Sequence, residues 1–507
     1  MVRFLTGPEA ADLVPDGATV ALLGNGGGVL EPKTLYGSIE ARFLATGRPN
    51  GLTLYHCAGI GDKGAEGLNR FAHEGMTTRV VGGHWGWSPR MQQLAIEGRI
   101  EAYNLPQGVI ASQYRELAAK RPGLITKTGL GTFVDPRVDG GKLNGRSTED
   151  LVEVIELGGE EWLHYLPKPV DVGLIRATTA DERGNLSYEE EATYLEALAI
   201  AQAVHNNGGV VIAQVKYRAE GGSLHPQLVR IPGYLVDVVV VEPEQWQTSQ
   251  GPYDPSLSGA ARKPLAAVKA MPLGQRKVIA RRAARFVEPG SVINLGFGMP
   301  DGVAAVAAEE GWLPTLTMTI EQGISGGMPA GGDIFGVAYN AEVFLDAPAQ
   351  FDFYSGHGLD LTCLGLAQAD QHGNVNVSKF GTTIAGSGGF IDISQSARTC
   401  VFCGTFTAGG LVTEVADGAL RIVTEGRARK FVPQVEHITF SGDYARQSGQ
   451  QVWYVTERAV FRLGESGLVL VEVAPGVDLE RDVLALMDFT PEVAADLRLM
   501  DERIFLP

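Results

Sequence analysis

The chain of 507 residues is 44% hydrophobic and 20% charged, which excludes a disordered or fibrous protein, and its length exceeds what one hydrophobic core serves. A net charge of −17 without a long Lys/Arg block argues against nucleic acid or an anionic membrane surface as partner, while the 66 glycines point to tight turns and ligand-cradling loops. Four cysteines make no disulfide framework, no apolar run approaches the roughly 20 residues that span a bilayer, and residues 1–8 lack a signal-peptide pattern, so a cytoplasmic protein is expected.

In chain order, Ala18 to Leu23 reads as a buried strand running into Gly24-Asn-Gly-Gly-Gly28, and a helix follows from about Glu31 to Phe43 with Pro32 near its first turn. Further strands are predicted at Leu52–Tyr55, Arg79–Val81 and Ile100–Tyr103, each ending near glycines or polar residues, a rhythm that argues for a parallel sheet. Residues 121–168 break the pattern and read as an insertion before the rhythm resumes at Val170–Ile175. The proline-rich stretch 251–275 is the candidate linker between an N-terminal domain, 1–250, and a C-terminal domain, 276–507.

Beyond the linker, Pro289 to Leu295 leads into Gly296-Phe-Gly-Met-Pro300 and a helix from Asp301 to Glu310, the same turn, strand, glycine loop, helix plan that opens the chain. A sharper echo follows: Ala180-Asp181-Glu-Arg-Gly184-Asn185 in the first half is matched by Ala369-Asp370-Gln-His-Gly373-Asn374 in the second. Two echoes in one order predict an α/β protein of two tandem related domains, each an open, mostly parallel sheet with flanking helices. Cys400 and Cys403 form a C-x-x-C inside an apolar run with no second pair, so core packing is expected and no metal site.

The chemistry centres on Thr319-Ile-Glu321-Gln-Gly-Ile-Ser-Gly-Gly-Met-Pro-Ala-Gly-Gly332, where a lone carboxylate stands at the end of a predicted strand and the head of a glycine loop. In parallel sheets that edge is where ligands bind. The glycine loops at Gly24 and Gly296 start like a dinucleotide fingerprint but carry Val29 and Asp301 where the third glycine belongs, and no P-loop occurs. Gly323-Ile-Ser325-Gly-Gly327 has the G-x-S-x-G spacing but lacks the helix start an elbow needs after its serine. His84 and His357 read as structural histidines. A carboxylate remains the leading candidate.

These residues carry a resemblance. Asn294-Leu-Gly-Phe-Gly-Met-Pro300, Glu321 to Pro329 and Gly386-Ser-Gly-Gly-Phe390 resemble the family I coenzyme A transferases, and Gly82-Gly-His-Trp-Gly86, Tyr103-Asn-Leu-Pro-Gln-Gly108 and Gly131 to Pro136 are similar to its acetate/propionate branch. The resemblance implies Glu321 as the catalytic glutamate, Gly296, Phe297, Gly298, Met299, Pro300, Gly388 and Gly389 around the CoA, and the backbone amides of Phe297 and Gly389 as oxyanion donors. Gln107 is a plausible donor to the acyl carboxylate at the domain interface, and Gly26 and Gly27 would shape the acyl pocket. Ala408 stands where some relatives place a lysine near the CoA, so the phosphate contacts are not carried over. It further implies acyl-CoA and short-chain carboxylates as substrates, CoA as substrate with no tightly bound cofactor, and a homo-oligomer, dimer or tetramer. A carboxylate with an ordinary pKa of about 4.3 is ionised at pH 7 and needs no general base. The alternatives are an acyl-CoA hydrolase using the same glutamate, an isomerase or ligand-sensing relative of the fold, and a binding module without catalysis.

Overall fold

In the computed structural model, which describes residues 2–264 and 271–507, the strands gather into two large sheets of ten strands each. The main path of the first runs Arg3–Phe4, Val238–Val241, Val210–Ala219, Val172–Asp181, Thr19–Leu22, Leu52–His56, Thr77–Gly82 and Glu101–Asn104, every neighbouring pair parallel. Its central strand Val172–Asp181 is buried along its whole length, and Val238–Val241 is an unbroken run of valine, as strands covered on both faces favour. In the second sheet, Thr317–Ile320, Val292–Leu295, Leu361–Gly365, Thr399–Cys403 and Gln451–Val455 are parallel neighbours, extended by antiparallel strands on both sides.

The two sheets share one winding. Taken in chain order, Thr19–Leu22, Leu52–His56, Val172–Asp181, Val210–Ala219 and Val238–Val241 occupy the same relative places as Val292–Leu295, Thr317–Ile320, Leu361–Gly365, Thr399–Cys403 and Gln451–Val455. The Asp-Gly-Asn echo folds identically in both. Asp181 Oδ1 accepts from the amides of Arg183 and Asn185 and its Oδ2 from the Asn185 side chain, while Asn185 Oδ1 accepts from Gly233 N at 2.9 Å. Asp370 Oδ1 likewise accepts from His372 and Asn374, its Oδ2 from the Asn374 side chain, and Asn374 Oδ1 from Gly442 N at 2.9 Å. A short acidic side chain that captures the amides two and four residues ahead sets the turn locally, which is why it is readable in both halves.

Residues 121–168 stand apart from the parallel rhythm: Leu124–Thr126, Val152–Leu157 and Glu160–Tyr165 make a separate antiparallel sheet of three strands. Within the expected linker 251–275, residues 265–270 lie outside the described residues. Its earlier part rests on the second half, with Lys263 N donating to Asn340 Oδ1 at 2.7 Å and Asn340 N to Ser256 O at 2.9 Å. Cys400 and Cys403 are buried in the strand Thr399–Cys403.

The largest apolar core crosses from one half to the other, joining Val109, Tyr114 and Leu195 to Ile320, Phe351 and Ile391. The helix Gln107–Ala118 carries most of this junction, packing on Ala197–Asn206 from its own half and on Ala347–Ser355 and Phe390–Ser396 from the other. Gly108 permits the approach, since a Cβ there would lie 2.4 Å from the Phe351 ring.

Near this junction, Glu196 precedes the helix Ala197–Asn206 without capping it, and neither carboxyl oxygen meets a hydrogen-bond partner among the described residues. Burial pushes its pKa up to about 7. The folded chain therefore holds a proton that the unfolded chain releases above the ordinary glutamate range, so this contribution is complete at low pH and is lost as pH rises through about 7. Glu196→Gln, uncharged at every pH, is expected to raise the melting temperature at pH 8.5 and to leave it nearly unchanged at pH 4, with a stability gain of at most on the order of 3 kcal/mol. Circular-dichroism melts of both proteins at the two pH values check this; an equal change at both would show that Glu196 does not titrate as described.

Candidate active site

Thr317–Ile320 ends at Glu321, and the chain then turns back directly into the short strand Ile324–Ser325, so the expected open loop is a hairpin. Gly323 makes the turn: its N donates to Ile320 O at 3.0 Å, its φ is +93°, and a Cβ there would lie 2.0 Å from Leu345 O. The nucleophile candidate is thus held at a strand terminus by backbone pairing on both sides. Ser325 is an ordinary strand residue, so no nucleophile elbow forms.

Glu321 is 9% exposed. The Asn294 amide reaches its Oε2 at 3.4 Å while also donating to Thr319 O at 3.2 Å, and Tyr354 Oη donates to Thr319 Oγ1 at 3.0 Å behind it. No cation pairs with the carboxylate among the described residues. Burial raises its pKa above the ordinary range, opposed only by neutral hydrogen bonds from the Glu321 backbone and from the Asn294 and Gln322 side chains.

Glu321 opens into a cleft of about 380 Å³ lined by both halves. From the second half come Gly296, Phe297, Leu364, Val377 and the turn Ala385–Phe390; from the first come Asn25, Gly59, Lys63, His84, Trp87 and Gln107. The sequence-predicted residues Glu321, Gly296, Phe297, Gly388, Gly389 and Gln107 therefore meet in one place. Gly389 adjoins the carboxylate arm, a Cβ there falling 3.4 Å from Glu321 Cγ. Neither Gly389 N nor Phe297 N meets an acceptor among the described residues, whereas Gly388 N is committed to Gly83 O at 2.7 Å. Gly298, Met299 and Pro300 are not part of the lining: Gly298 turns the chain at φ +91° and Met299 packs on the core beneath. Gly26 supports the wall from outside, since a Cβ would lie 2.4 Å from the Trp87 indole, and Gly27 abuts the Asp333 carbonyl across the junction. The Gln107 side-chain nitrogen is buried without an acceptor among the described residues.

The turn at 385–389 is stitched to the first half. Trp85 N and Gly86 N donate to Ala385 O, Ser387 N to Asn104 Oδ1 at 2.9 Å, Gln107 N to Gly388 O at 2.9 Å, and Gly108 N to Asp392 Oδ2 at 3.2 Å. Asn25 adds a second seam, taking the Gln322 side-chain amide at 3.1 Å and donating to Phe335 O at 3.0 Å. Burial pushes the Asp392 carboxyl up to about 8, the Gly108 amide opposing this and the Glu321 charge adding to it.

Several lining residues escaped sequence reasoning. His84, read as structural, lies in the cleft wall. Phe335 stacks edge-on against the half-exposed Phe297 at 5.2 Å, and Lys63 lies 4.5 Å over the Trp87 ring. Position in the glycine-flanked Gly82-Gly-His-Trp-Gly86 run was the available signal for His84. His357 is structural as expected, its Nδ1 bonded to Ser396 O at 2.9 Å. Among the described residues no group of His, Cys, Asp and Glu is arranged to hold a metal ion, and no helix is long and apolar enough to cross a membrane.

The family described as Coenzyme A transferase matches residues 7–242. The chain is 48% identical to the acetate CoA-transferase YdiF of Escherichia coli O157:H7 over 506 residues, covering 100% of this chain and 95% of that one. It is 47% identical to the caffeate CoA-transferase of Acetobacterium woodii over 513 residues, covering 100% and 98%. The crystal structure of the apoenzyme of Escherichia coli O157:H7 YdiF superimposes with a TM-score of 0.96 at 47% identity, covering 100% of this chain and 96% of that one, and a structure of its thioester complex with CoA does so at 0.95. With both glycine loops, the strand-end glutamate and full-length similarity in agreement, the chain belongs to the coenzyme A transferases.

Proposed function

We propose that this protein exchanges CoA between short-chain acyl-CoA and free carboxylates, acetate and propionate among them, through a thioester on Glu321. The observation that carries the reading is a lone buried carboxylate, unpaired with any cation among the described residues, beside the unengaged Gly389 amide in a cleft between the two halves. Its relatives named acetate and caffeate CoA-transferases, and the YdiF thioester complex with CoA, support it.

A Glu321 carboxylate oxygen attacks the thioester carbonyl, and the tetrahedral oxyanion collapses with loss of CoA thiolate to a mixed anhydride. The thiolate then attacks the Glu321 carbonyl, the anhydride C–O bond breaks, and a free carboxylate leaves the glutamyl thioester. A second carboxylate retraces both steps and departs as acyl-CoA, so one thioester replaces another and no ATP is consumed. Desolvation makes the ionised form of Glu321 a better nucleophile than a carboxylate in water. The Gly389 and Phe297 amides supply oxyanion donors, each worth about 3 to 4 kcal/mol in such a setting. CoA is a substrate here rather than a resident cofactor, and its remote nucleotide contributes binding energy realised at the reacting bond. In the same reading, 1–250 and 276–507 are related domains joined through 251–275, and the protein works as a homo-oligomer.

Incubation with acetyl-CoA or propionyl-CoA is expected to leave a CoA adduct on the peptide containing Glu321, detected by mass spectrometry, and Glu321→Ala should show neither adduct nor turnover. Acyl-CoA loss that needs no added carboxylate would instead mark a hydrolase. Glu321→Asp shortens the arm by about 1 Å and is expected to cost on the order of 10²-fold in kcat; near-normal turnover would overturn the positioning argument.

The acid limb of the pH profile follows from burial. Because the ionised form attacks and the pKa is raised, kcat/KM is expected to fall on acidification at a pH above the ordinary glutamate value of about 4.3. A profile flat down to that value would show that the free enzyme holds Glu321 in a water-like environment.

A further inference from the structure

We propose that His84 is a substrate-contacting residue which, as a neutral N–H donor, holds the carboxylate that accepts CoA, together with Gln107. This rests on the glutamyl-thioester reading above.

The ring is fixed from several sides. His84 Nδ1 accepts from Gly86 N at 3.2 Å, which places the ring proton on Nε2. A Cβ on Gly59 would lie 2.6 Å from His84 Nδ1, and one on Gly86 would lie 2.8 Å from Cε1, so two bare peptides clamp the imidazole. Nε2 meets no partner among the described residues, and the side chain lines the cleft. From the position a Cβ would take on Gly388, His84 Cδ2 is 3.6 Å away and Gln107 Oε1 is 3.8 Å away. The two side chains thus converge on the turn that presents Gly389 to Glu321. Desolvation, with smaller effects of His56 and Lys63, lowers the His84 pKa to about 4, so the ring is neutral where the protein works.

The chemistry favours this arrangement. An acceptor carboxylate must be gripped beside Glu321 yet remain nucleophilic, and a guanidinium or ammonium partner would lower its basicity. Lys63 is the single cationic residue of the described lining, and its ammonium lies over the Trp87 ring. The His84 Nε2–H binds the anion without quenching it, and Gln107 joins it once its amide is turned to present the NH2 in place of the Oε1 that now faces the turn. A hydrogen bond to a charged group contributes about 1.5 to 3 kcal/mol, which is roughly 10- to 100-fold in rate.

The test uses the enzyme loaded as its CoA adduct, freed of released acid, and measures discharge by acetate and by hydroxylamine, whose nitrogen attacks the Glu321 carbonyl and expels CoA thiol to leave a hydroxamate. His84→Phe is expected to slow discharge by acetate about 10- to 100-fold and discharge by hydroxylamine less than twofold. His84→Gln, which keeps an N–H donor, is expected to recover acetate discharge to within about fivefold of the wild type. Unchanged acetate discharge in His84→Phe, a parallel loss with both nucleophiles, or a Gln variant as slow as the Phe variant would each overturn the proposal while leaving the thioester intact. Failure of the wild type to load at all would overturn the reading on which it rests.

Discussion

The turn from Ala385 to Gly389 is held less by its own half than by the other. Its carbonyls and amides pair with Trp85, Gly86, Asn104, Gln107 and Gly83, so the peptide beside Glu321 is located by backbone from the opposite sheet. Each such bond contributes only about 1 kcal/mol net, but together they set position to within hydrogen-bond tolerance. The helix Gln107–Ala118 depends on the same seam, starting where Gln107 N and Gly108 N donate across it. Glu321, Gly389 and Gln107 share a geometry only while the halves are docked.

Around this seam acidic groups are desolvated without cationic compensation. Burial raises both Glu321 and Asp392, and the Glu321 charge adds to the cost of ionising Asp392. A buried acid left in this state lowers stability, and such departures from the best-packed arrangement cluster where reactivity needs them. The buried charges inside the first half are different in kind: Arg176 and Glu191 satisfy one another in a bidentate pair, and Arg176 also donates to Gly28 O at the end of the Gly24–Gly28 loop.

How much was legible in the sequence depended on whether a feature is local. The Asp181 and Asp370 turns were readable because each is closed by amides two and four residues away. Glu321 was readable as a strand terminus because its strand has a β-branched, apolar run before it. The hairpin after it was not, since Ile324–Ser325 is a two-residue strand set by pairing with Thr319–Ile320 on one side and Val343–Phe344 on the other, not by its own composition. The Gly296 to Pro300 run looked like one continuous binding loop, yet only Gly296 and Phe297 line the cleft because Gly298 bends the chain toward the helix Gly302–Glu309. His84 was passed over because what orients its ring comes from Gly59 and Gly86, and what gives it a role comes from Gly388, some 300 positions away.

Asn25 and Phe297 follow the first glycine of the two corresponding glycine loops, and both border the same cleft. Two identical halves meeting there would have to offer the same group from either side, giving a symmetric pocket with no preferred direction of attack. The two loops differ instead: one ties the hairpin of the other half in place through an amide, while the other presents an aromatic face and a peptide N–H that meets no acceptor among the described residues. The cleft between the halves therefore has two unlike sides, one amide-tied and one aromatic.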